Sequence, residues 1–351
     1  VKSGAAFLPL DPQYALERIE YMLNDAHAKI LLTTDKYSGR FSSQAIEMPI
    51  EKLNDKVKNF PTSAPTEIAL AENDLVYILY TSGSTGKPKG VMIENKSLVN
   101  YITWAADYYL QGEPSVFPLY TSISFDLTIT SVFTPLITGN NILIYEEDPH
   151  GFIIEKVFTD NKANVIKLTP SHLKLVKDNN EVKRNLPDRH LKLIVGGEEL
   201  ETSLAKDIHH LFNGRITIYN EYGPTEATVG CMIQRFDLLD ASSRTVPIGK
   251  PIRNARIYLL DAKLQPVPKG VTGEIYIGGE CVARGYFEKD HLTNERFMAD
   301  PFVVGKKMYK TGDNALMTDN NLMVFKGRID DQVKLRGYRI EPGEIEYHIA
   351  K

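Results

Sequence analysis

The chain has 351 residues, 42% apolar, 25% charged and 9% aromatic, which supplies more than one core and excludes a disordered or collagen-like chain. Its 41 basic and 45 acidic residues leave a formal charge of −4, without the basic footprint of a general nucleic-acid binder. No apolar run approaches the roughly 20 residues of a membrane span. The two cysteines, Cys231 and Cys281, have neither CxxC spacing nor flanking histidines, which points to a reducing, cytoplasmic setting without structural zinc. Spacing alone leaves a bridge between them open. At about 100 to 200 residues per domain the length predicts two or three domains. The start, Val1-Lys2-Ser3-Gly4, has no initiator methionine and no signal-peptide pattern, and reads as a cut from something longer.

In chain order, residues 5–10 predict a buried strand, followed by a helix capped by Asp11 with Pro12 in its first turn. Residues 30–34 form the next strand of a βαβ unit. Pro49, Pro61 and Pro65 punctuate 38–72, which reads as surface structure between units. A strand at 75–80 runs into TSGSTGKPKG at 81–90. This loop offers backbone N–H groups at Gly83 and Gly86, hydroxyls at Thr81, Ser82, Ser84 and Thr85, and cations at Lys87 and Lys89: a polyphosphate cradle. It is not the NTPase P-loop, because the glycines are too close for GxxxxGK and Pro88 replaces the magnesium-holding hydroxyl. Residues 91–93 read as strand, so no helix dipole is aimed at phosphate. Composition alone leaves an exposed Gly/Ser hairpin of no function open.

Beyond that loop, Trp104, Tyr108 and Tyr109 read as helix packing. Strands at 142–145, 165–168, 191–195 and 216–219 alternate with helices at 152–161, 171–178 and 204–212, which implies parallel sheet covered by helices. After Thr228 short strands at 256–260, 274–277 and 322–325, separated by turns, read as a small antiparallel barrel. Glu341-Pro342-Gly343-Glu344 opens a helix with Ile345 and Ile349 on one face. His209-His210 reads as surface, and both cysteines as small core residues.

The loop at 81–90, NEYGPTE at 220–226, YKTGD at 309–313 and GRIDDQVKLRGYRIEPGEIE at 327–346 together resemble the adenylate-forming superfamily. VKSGAAFLPLDP at 1–12, FDLT at 125–128 and GEIYIGGECVARGYF at 273–287 resemble its nonribosomal peptide synthetase adenylation domains in particular. The motifs follow the family's order along almost the whole chain. The resemblance implies an α/β fold: helix-covered, largely parallel sheets over 1–228, a small β-barrel-like subdomain over 229–329, and at 330–351 a hinge and the start of a C-terminal α+β domain. It also implies truncation at both ends.

What the resemblance implies for ATP and Mg2+ is specific. Thr81, Ser82, Gly83, Ser84, Thr85, Gly86 and Lys87 would surround the phosphates, and Gly197, Glu221 and Gly223 would border the nucleotide. Asn220 would lie beside adenine, Tyr222 stack on it, Thr225 contact the α-phosphate and Glu226 hold magnesium. Thr81, Lys87, Thr225 and Glu226 would carry the catalytic roles. Asp313 would accept from both ribose hydroxyls with Arg328 nearby, and Asp330 would be the hinge, a role the adjacent Asp331 could share. The implied reaction is attack of a carboxylate on the α-phosphorus, giving acyl-AMP and pyrophosphate, largely through positioning and charge neutralisation. The acyl group then loads the phosphopantetheine of a peptidyl carrier protein, next to a condensation domain of the same synthetase. No nucleic acid or membrane is expected as a partner.

Asp126 matches the family's aspartate for the substrate α-ammonium, and Leu127, Thr130, Lys167, Ile194, Gly196, Glu221, Val229 and Gly230 match the rest of its pocket. Lys167 and Glu221 facing an otherwise small, apolar pocket would be left without partners by a hydrophobic guest, which is costly. A carboxamide suits both, accepting from Lys167 and donating to Glu221. A carboxylate guest would oppose Glu221. The set also resembles the family's asparagine pattern, so asparagine is expected, with aspartate second and glutamine third. In the competing arrangement Lys167 and Glu221 pair with each other and shut the pocket. Two rival functions remain. One is a nucleotide-binding but catalytically incompetent fragment, since the family's C-terminal lysine would fall beyond Lys351; the other is an acyl-CoA ligase, which Asp126 disfavours.

Overall fold

The structure, a computed structural model, describes residues 2–58, 60–61, 63, 68–83, 86–146, 151–239, 243–335 and 337–349. Ser84 and Thr85 of the expected phosphate loop lie outside the described residues. Helix α1 (Leu16–Asp25) buries Ile19, Met22 and Leu23 along one face, as apolar residues three and four apart require. It starts later than the predicted cap: Asp11 Oδ1 accepts from the Gln13 N–H at 2.9 Å, closing a local turn instead. The strand predicted at 5–10 shrinks to one parallel bridge between Phe7 and Tyr77, because Pro9 has no N–H for a ladder.

Strand β1 (Ile30–Thr33) pairs in parallel with β2 (Ile46–Pro49), and α2 (Ile50–Val57) follows at once. These two elements occupy the stretch read as surface structure between units. Pro49 is the extended residue that precedes the helix, a role compatible with its fixed φ. Strands β3 (Leu75–Thr81) and β4 (Lys89–Glu94) form the antiparallel pair around the phosphate loop. Helix α3 (Asn95–Ala105) runs into a π-helical turn, Ala106–Leu110.

Next, β5 (Val116–Leu119) and β6 (Asn141–Ile144) pair in parallel across α4 (Leu127–Thr138). Helix α5 (Ile153–Thr159) leads to β7 (Val165–Leu168), α6 (Pro170–Asp178), α7 (Asn180–Arg184), β8 (Leu191–Gly196), α8 (Thr202–Leu211) and β9 (Ile216–Tyr222). The antiparallel strands β10 (Met232–Arg235) and β11 (Lys250–Pro251) complete the sheet β11-β10-β9-β8-β7. Register matters for the pocket. Lys167 sits opposite Ile194 and Gly196 opposite Glu221, so period-two alternation puts all four on one sheet face. Strand β9 runs past the predicted end at 219 because Asn220, Glu221 and Tyr222 are all buried.

The antiparallel part contains β12 (Ala255–Leu260) and β13 (Thr272–Gly279), while β14 (Gly285–Tyr286) crosses back to pair with β4. Helix α9 (Asp290–Arg296), β15 (Phe297–Ala299), β16 (Lys307–Met317) and β17 (Met323–Arg328) follow. The sheet order is β12-β13-β16-β15, with β17 also on β16. A hairpin of β18 (Val333–Leu335) and β19 (Tyr338–Ile340) then leads to α10 (Pro342–Ile349). Tyr101, Trp104, Tyr109, Ile194, Tyr219 and Tyr222 belong to one buried apolar cluster, which joins α3 to the pocket face of the parallel sheet. Both cysteines are free and buried. Among the described residues no helix is long and apolar enough to cross a membrane.

Candidate functional site

Asp126 stands one residue ahead of α4, where its carboxylate meets the turn after β9. Thr225 Oγ1 donates to Asp126 Oδ2 at 2.6 Å. The residue expected on the α-phosphate thus touches the residue expected on the amino group. Burial pushes the Asp126 carboxyl above its ordinary range, against the Thr225 hydrogen bond and the Lys167 charge.

Behind it, Lys167 Nζ and Glu221 Oε2 form a direct ion pair, each side chain only 2% exposed. The pairing alternative raised from sequence is the arrangement observed; the two charges do not point separately into the pocket. Burial pushes the Lys167 ammonium below its ordinary range, and Asp126 opposes that shift. Glu221 Oε1 accepts from Tyr101 Oη at 2.9 Å and Tyr109 Oη at 2.7 Å. Thr130 Oγ1 lies 2.6 Å from Tyr101 Oη. Leu127 and Ile194 are buried apolar side chains.

The small residues of the pocket make room for Glu221. A Cβ at Gly230 would lie 2.5 Å from Glu221 Cδ, and one at Gly196 2.9 Å from the Glu221 carbonyl oxygen. Just before Gly230, Thr228 and Val229 adopt φ of 53° and 69°, a conformation that β-branched residues enter only when surroundings impose it. Thr228 Oγ1 is tied to the Cys281 carbonyl at 2.7 Å, and the Gly230 N–H to the Thr228 carbonyl at 2.9 Å.

On the side expected to hold the nucleotide, Gly197, Asn220, Tyr222, Gly223, Phe325 and Lys334 line one cleft. Tyr222 Oη donates to Asp313 Oδ2 and Arg328 Nη1 to Asp313 Oδ1, both at 2.5 Å. Each Asp313 oxygen keeps a second lone pair for a ribose hydroxyl. Arg328 also grips Asp330 through Nε at 2.6 Å and Nη2 at 2.7 Å. The residue expected at the hinge is therefore tied to the residue expected at the ribose through one guanidinium. The Asn220 amide donates to the Val246 and Pro247 carbonyls, both at 2.9 Å, which fixes the wall beside the expected base.

The phosphate loop departs from expectation in its cations. Lys87 is exposed, its Nζ 5.7 Å over the Tyr21 ring. Lys89 is buried at 7% exposure, with Nζ 4.6 Å over the Tyr286 ring and 3.8 Å from Glu226. Burial, together with Arg339, lowers the Lys89 ammonium to about 8. Only Lys87 of the two is thus placed to reach a solvent-borne phosphate. Gly86 takes φ of 83° and donates its N–H to the Gly83 carbonyl at 3.1 Å. Among the described residues, Thr81 Oγ1 is buried without a hydrogen-bond partner, the condition of a hydroxyl that a phosphate oxygen would satisfy. Ser82 Oγ donates to the Arg339 carbonyl at 2.9 Å.

Glu226 requires a correction. It is 0% exposed, and Oε1 accepts from Tyr286 Oη at 2.8 Å. Arg339 Nη1 reaches Oε1 at 3.0 Å and Oε2 at 2.9 Å. Burial alone would raise this carboxyl, but Arg339 and Lys89 more than reverse that and hold it at about 2. A carboxylate already neutralised by the Arg339 guanidinium, with the Lys89 ammonium close by, does not fit a magnesium ion in this arrangement. The β18–β19 hairpin fills that corner, anchored also by the Gly337 N–H to Glu198 Oε1 at 2.9 Å.

Sequence reasoning singled out neither Arg339 nor Lys334, although both lie inside the 327–346 motif. It also missed Glu198 and Tyr286, and it placed Tyr109 only in helix packing. Tyr101 carries no motif at all, and only the fold brings it to Glu221.

The family described as AMP-binding enzyme matches residues 1–287. The chain is 50% identical over 353 residues to bacitracin synthase 3 of Bacillus licheniformis, covering 100% of this chain and 5% of that protein. It thus spans a small fraction of that relative's length. Among solved structures it is similar to NpsA-ThdA, an artificially fused adenylation-PCP di-domain from Klebsiella oxytoca. The TM-score is 0.84 at 26% identity, over 99% of this chain and 68% of that one. It is also similar to holo-AB3403, a four-domain nonribosomal peptide synthetase bound to AMP and glycine. There the TM-score is 0.78 at 29% identity, over 98% of this chain and 25% of that one. The chain belongs to the AMP-binding enzymes, as an adenylation domain of the nonribosomal peptide synthetase type.

Proposed function

We propose that the chain uses ATP to activate L-asparagine as asparaginyl-AMP, for loading onto the phosphopantetheine of a peptidyl carrier protein in cytoplasmic nonribosomal peptide synthesis. One observation carries the choice of amino acid: Lys167 and Glu221 lie buried against each other, and a guest that opens the pocket must replace the contact each makes with the other. The pair's net charge is zero, yet it still presents an N–H donor beside a carboxylate acceptor. A side-chain amide matches such a couple edge to edge, its oxygen on the ammonium and its NH2 on the carboxylate. Aspartate would bring an extra negative charge to a cation that Glu221 already neutralises, and glutamine would need one more methylene of depth.

In this reading Asp126 holds the α-ammonium, and its Thr225 hydrogen bond aligns the amino acid with the nucleotide. The substrate carboxylate attacks the α-phosphorus, the bond from that phosphorus to the bridging oxygen breaks, and pyrophosphate leaves. Thr81 and Lys87 take phosphate oxygens while Tyr222 and Asp313 hold the nucleoside. The chain's part is positioning and charge placement. The similarity to a fused adenylation-PCP di-domain supports the carrier protein as acceptor.

Amino-acid-dependent ATP–pyrophosphate exchange, run with each proteinogenic amino acid, tests the reading. Binding of non-hydrolysable acyl-sulfamate analogues of asparaginyl-, aspartyl- and glutaminyl-AMP tests it without turnover. Asparagine and its analogue should lead in both. Stronger exchange with another acid, and tighter binding of its analogue, would overturn the assignment. Tight analogue binding without exchange would instead support the nucleotide-binding but incompetent fragment.

A further inference from the structure

We propose that Tyr101 and Tyr109 are specificity-determining positioning residues, whose two hydroxyls lock Glu221 as a pure hydrogen-bond acceptor so that the pocket admits a side-chain amide and refuses a carboxylate. The proposal rests on the asparagine reading above.

Both phenols converge on one atom. Tyr101 Oη lies 2.9 Å and Tyr109 Oη 2.7 Å from Glu221 Oε1, while Lys167 holds Oε2. Thr130 Oγ1, at 2.6 Å from Tyr101 Oη, can donate its hydroxyl to that oxygen while Tyr101 donates onward. The chain Thr130 to Tyr101 to Glu221 then runs in one direction, each link polarising the next. Burial pushes both phenols far above their ordinary range, so they act as neutral donors.

A proton placed on Glu221 would face an ammonium at Oε2, which has no lone pair to accept it, or at Oε1 would displace the hydrogen bonds that two phenols donate there. The carboxylate therefore stays an acceptor. An aspartate side chain needs a donor at this place and finds a second anion. An asparagine NH2 finds the acceptor it needs in the second lone pair of Oε2, beside Lys167.

The backbone brings the two rings together for this purpose. Residues eight apart in an unbroken α-helix lie about 80° apart around the axis at 3.6 residues per turn. The π-helical turn at Ala106–Leu110 takes more residues to close a turn and so brings Tyr109 back towards the face of Tyr101. Packing fixes the rings: Tyr109 stands edge-on to Trp104 at 5.3 Å and to Tyr219 at 5.1 Å. Neither tyrosine is among the positions that the family resemblance assigns to the pocket.

The test uses the ratio of dissociation constants for the aspartyl and asparaginyl acyl-sulfamate analogues, measured on Tyr109→Phe, Tyr101→Phe and, as a control, Tyr108→Phe. Phenylalanine keeps the ring contacts and removes only the hydroxyl, and thermal melting confirms that each variant folds. A hydrogen bond to a charged group supports a loss of discrimination of about tenfold or more in each of the first two variants. The control should leave the ratio unchanged. A purely structural role would weaken both analogues alike and leave the ratio in place, which would overturn the proposal while the asparagine assignment stands. A wild-type chain that prefers an amino acid without a side-chain amide would overturn both, and the wild-type measurement alone would show it.

Discussion

Replacing Lys167 by methionine removes the cation from a pair whose side chains are each 2% exposed. Methionine keeps the unbranched shape of the lysine stem, so the loss is chiefly one of charge. Glu221 would then remain buried with two phenol donors and no counter-ion. It can stay ionised against its surroundings or take up a proton, and the cheaper route sets the penalty. An ordinary glutamate titrates near about 4.3, and each unit of displacement is about 1.4 kcal/mol, so protonation at pH 7 costs about 3 to 4 kcal/mol. That ceiling agrees with the roughly 3 to 5 kcal/mol typical of breaking a buried pair.

The penalty also carries a pH signature. In the variant the folded-state pKa of Glu221 lies above its unfolded value. The deficit is therefore absent below about pH 4.3 and grows as the pH rises, until it levels off above the folded value. Urea denaturation of wild type and Lys167→Met should give a stability gap of about 1 to 2 kcal/mol at pH 5.5 and about 3 to 4 kcal/mol at pH 7. The double variant Lys167→Met/Glu221→Gln should recover most of the loss. A gap that does not change with pH, or one below about 1 kcal/mol at pH 7, would refute the buried-pair account.

Glu226 titrates the other way: its folded carboxyl is held at about 2 against an ordinary 4.5, so the stability it adds is complete above about 4.5 and drains away as the pH falls towards 2. Integrated over that window the linkage is on the order of 3 kcal/mol. Hydrogen-exchange protection factors in β18 and β19 should fall across this range before those of β7 and β8, and Arg339→Gln should remove the difference. At the pocket, Gly230→Ala would set a Cβ 2.5 Å from Glu221 Cδ and push the carboxylate off its phenol donors. Overpacking of this kind should lower stability by about 1 to 3 kcal/mol. It should also weaken binding of the asparaginyl analogue, whereas Gly151→Ala, which meets nothing within 4 Å, should do neither.

The legible parts of this molecule are those whose information is local. Strands β7, β8 and β9 each carry a short apolar run, helices of ordinary length separate them, and parallel pairing follows from that alternation. Asp126, Lys167 and Glu221 could be named because they sit at fixed places relative to motifs. What stayed hidden is non-local or conformational. A π-helical turn leaves no mark in composition, so nothing in residues 95–110 announced that Tyr101 and Tyr109 would share one oxygen. The contact between Arg339 and Glu226 spans 113 residues, and its effect on magnesium is visible only once the hairpin is seen to occupy that corner. Lys89 looked like a free cation because a loop motif does not say which side chain turns inward. Strand β2 and helix α2 were lost because four residues of strand are too few for periodicity to speak, and a proline at their junction looked like an ending.

Trp104 is the chain's single tryptophan, and it lies against both phenols that hold Glu221, at 6.0 Å from Tyr101 and 5.3 Å from Tyr109. The molecule therefore contains its own optical probe. Excitation selective for indole reads one residue in the whole chain, and that residue adjoins the pair proposed to sense the amino-acid side chain. A guest that draws on Glu221 should shift the phenols, and a change in the emission of the indole packed on them should report it without any label having been attached.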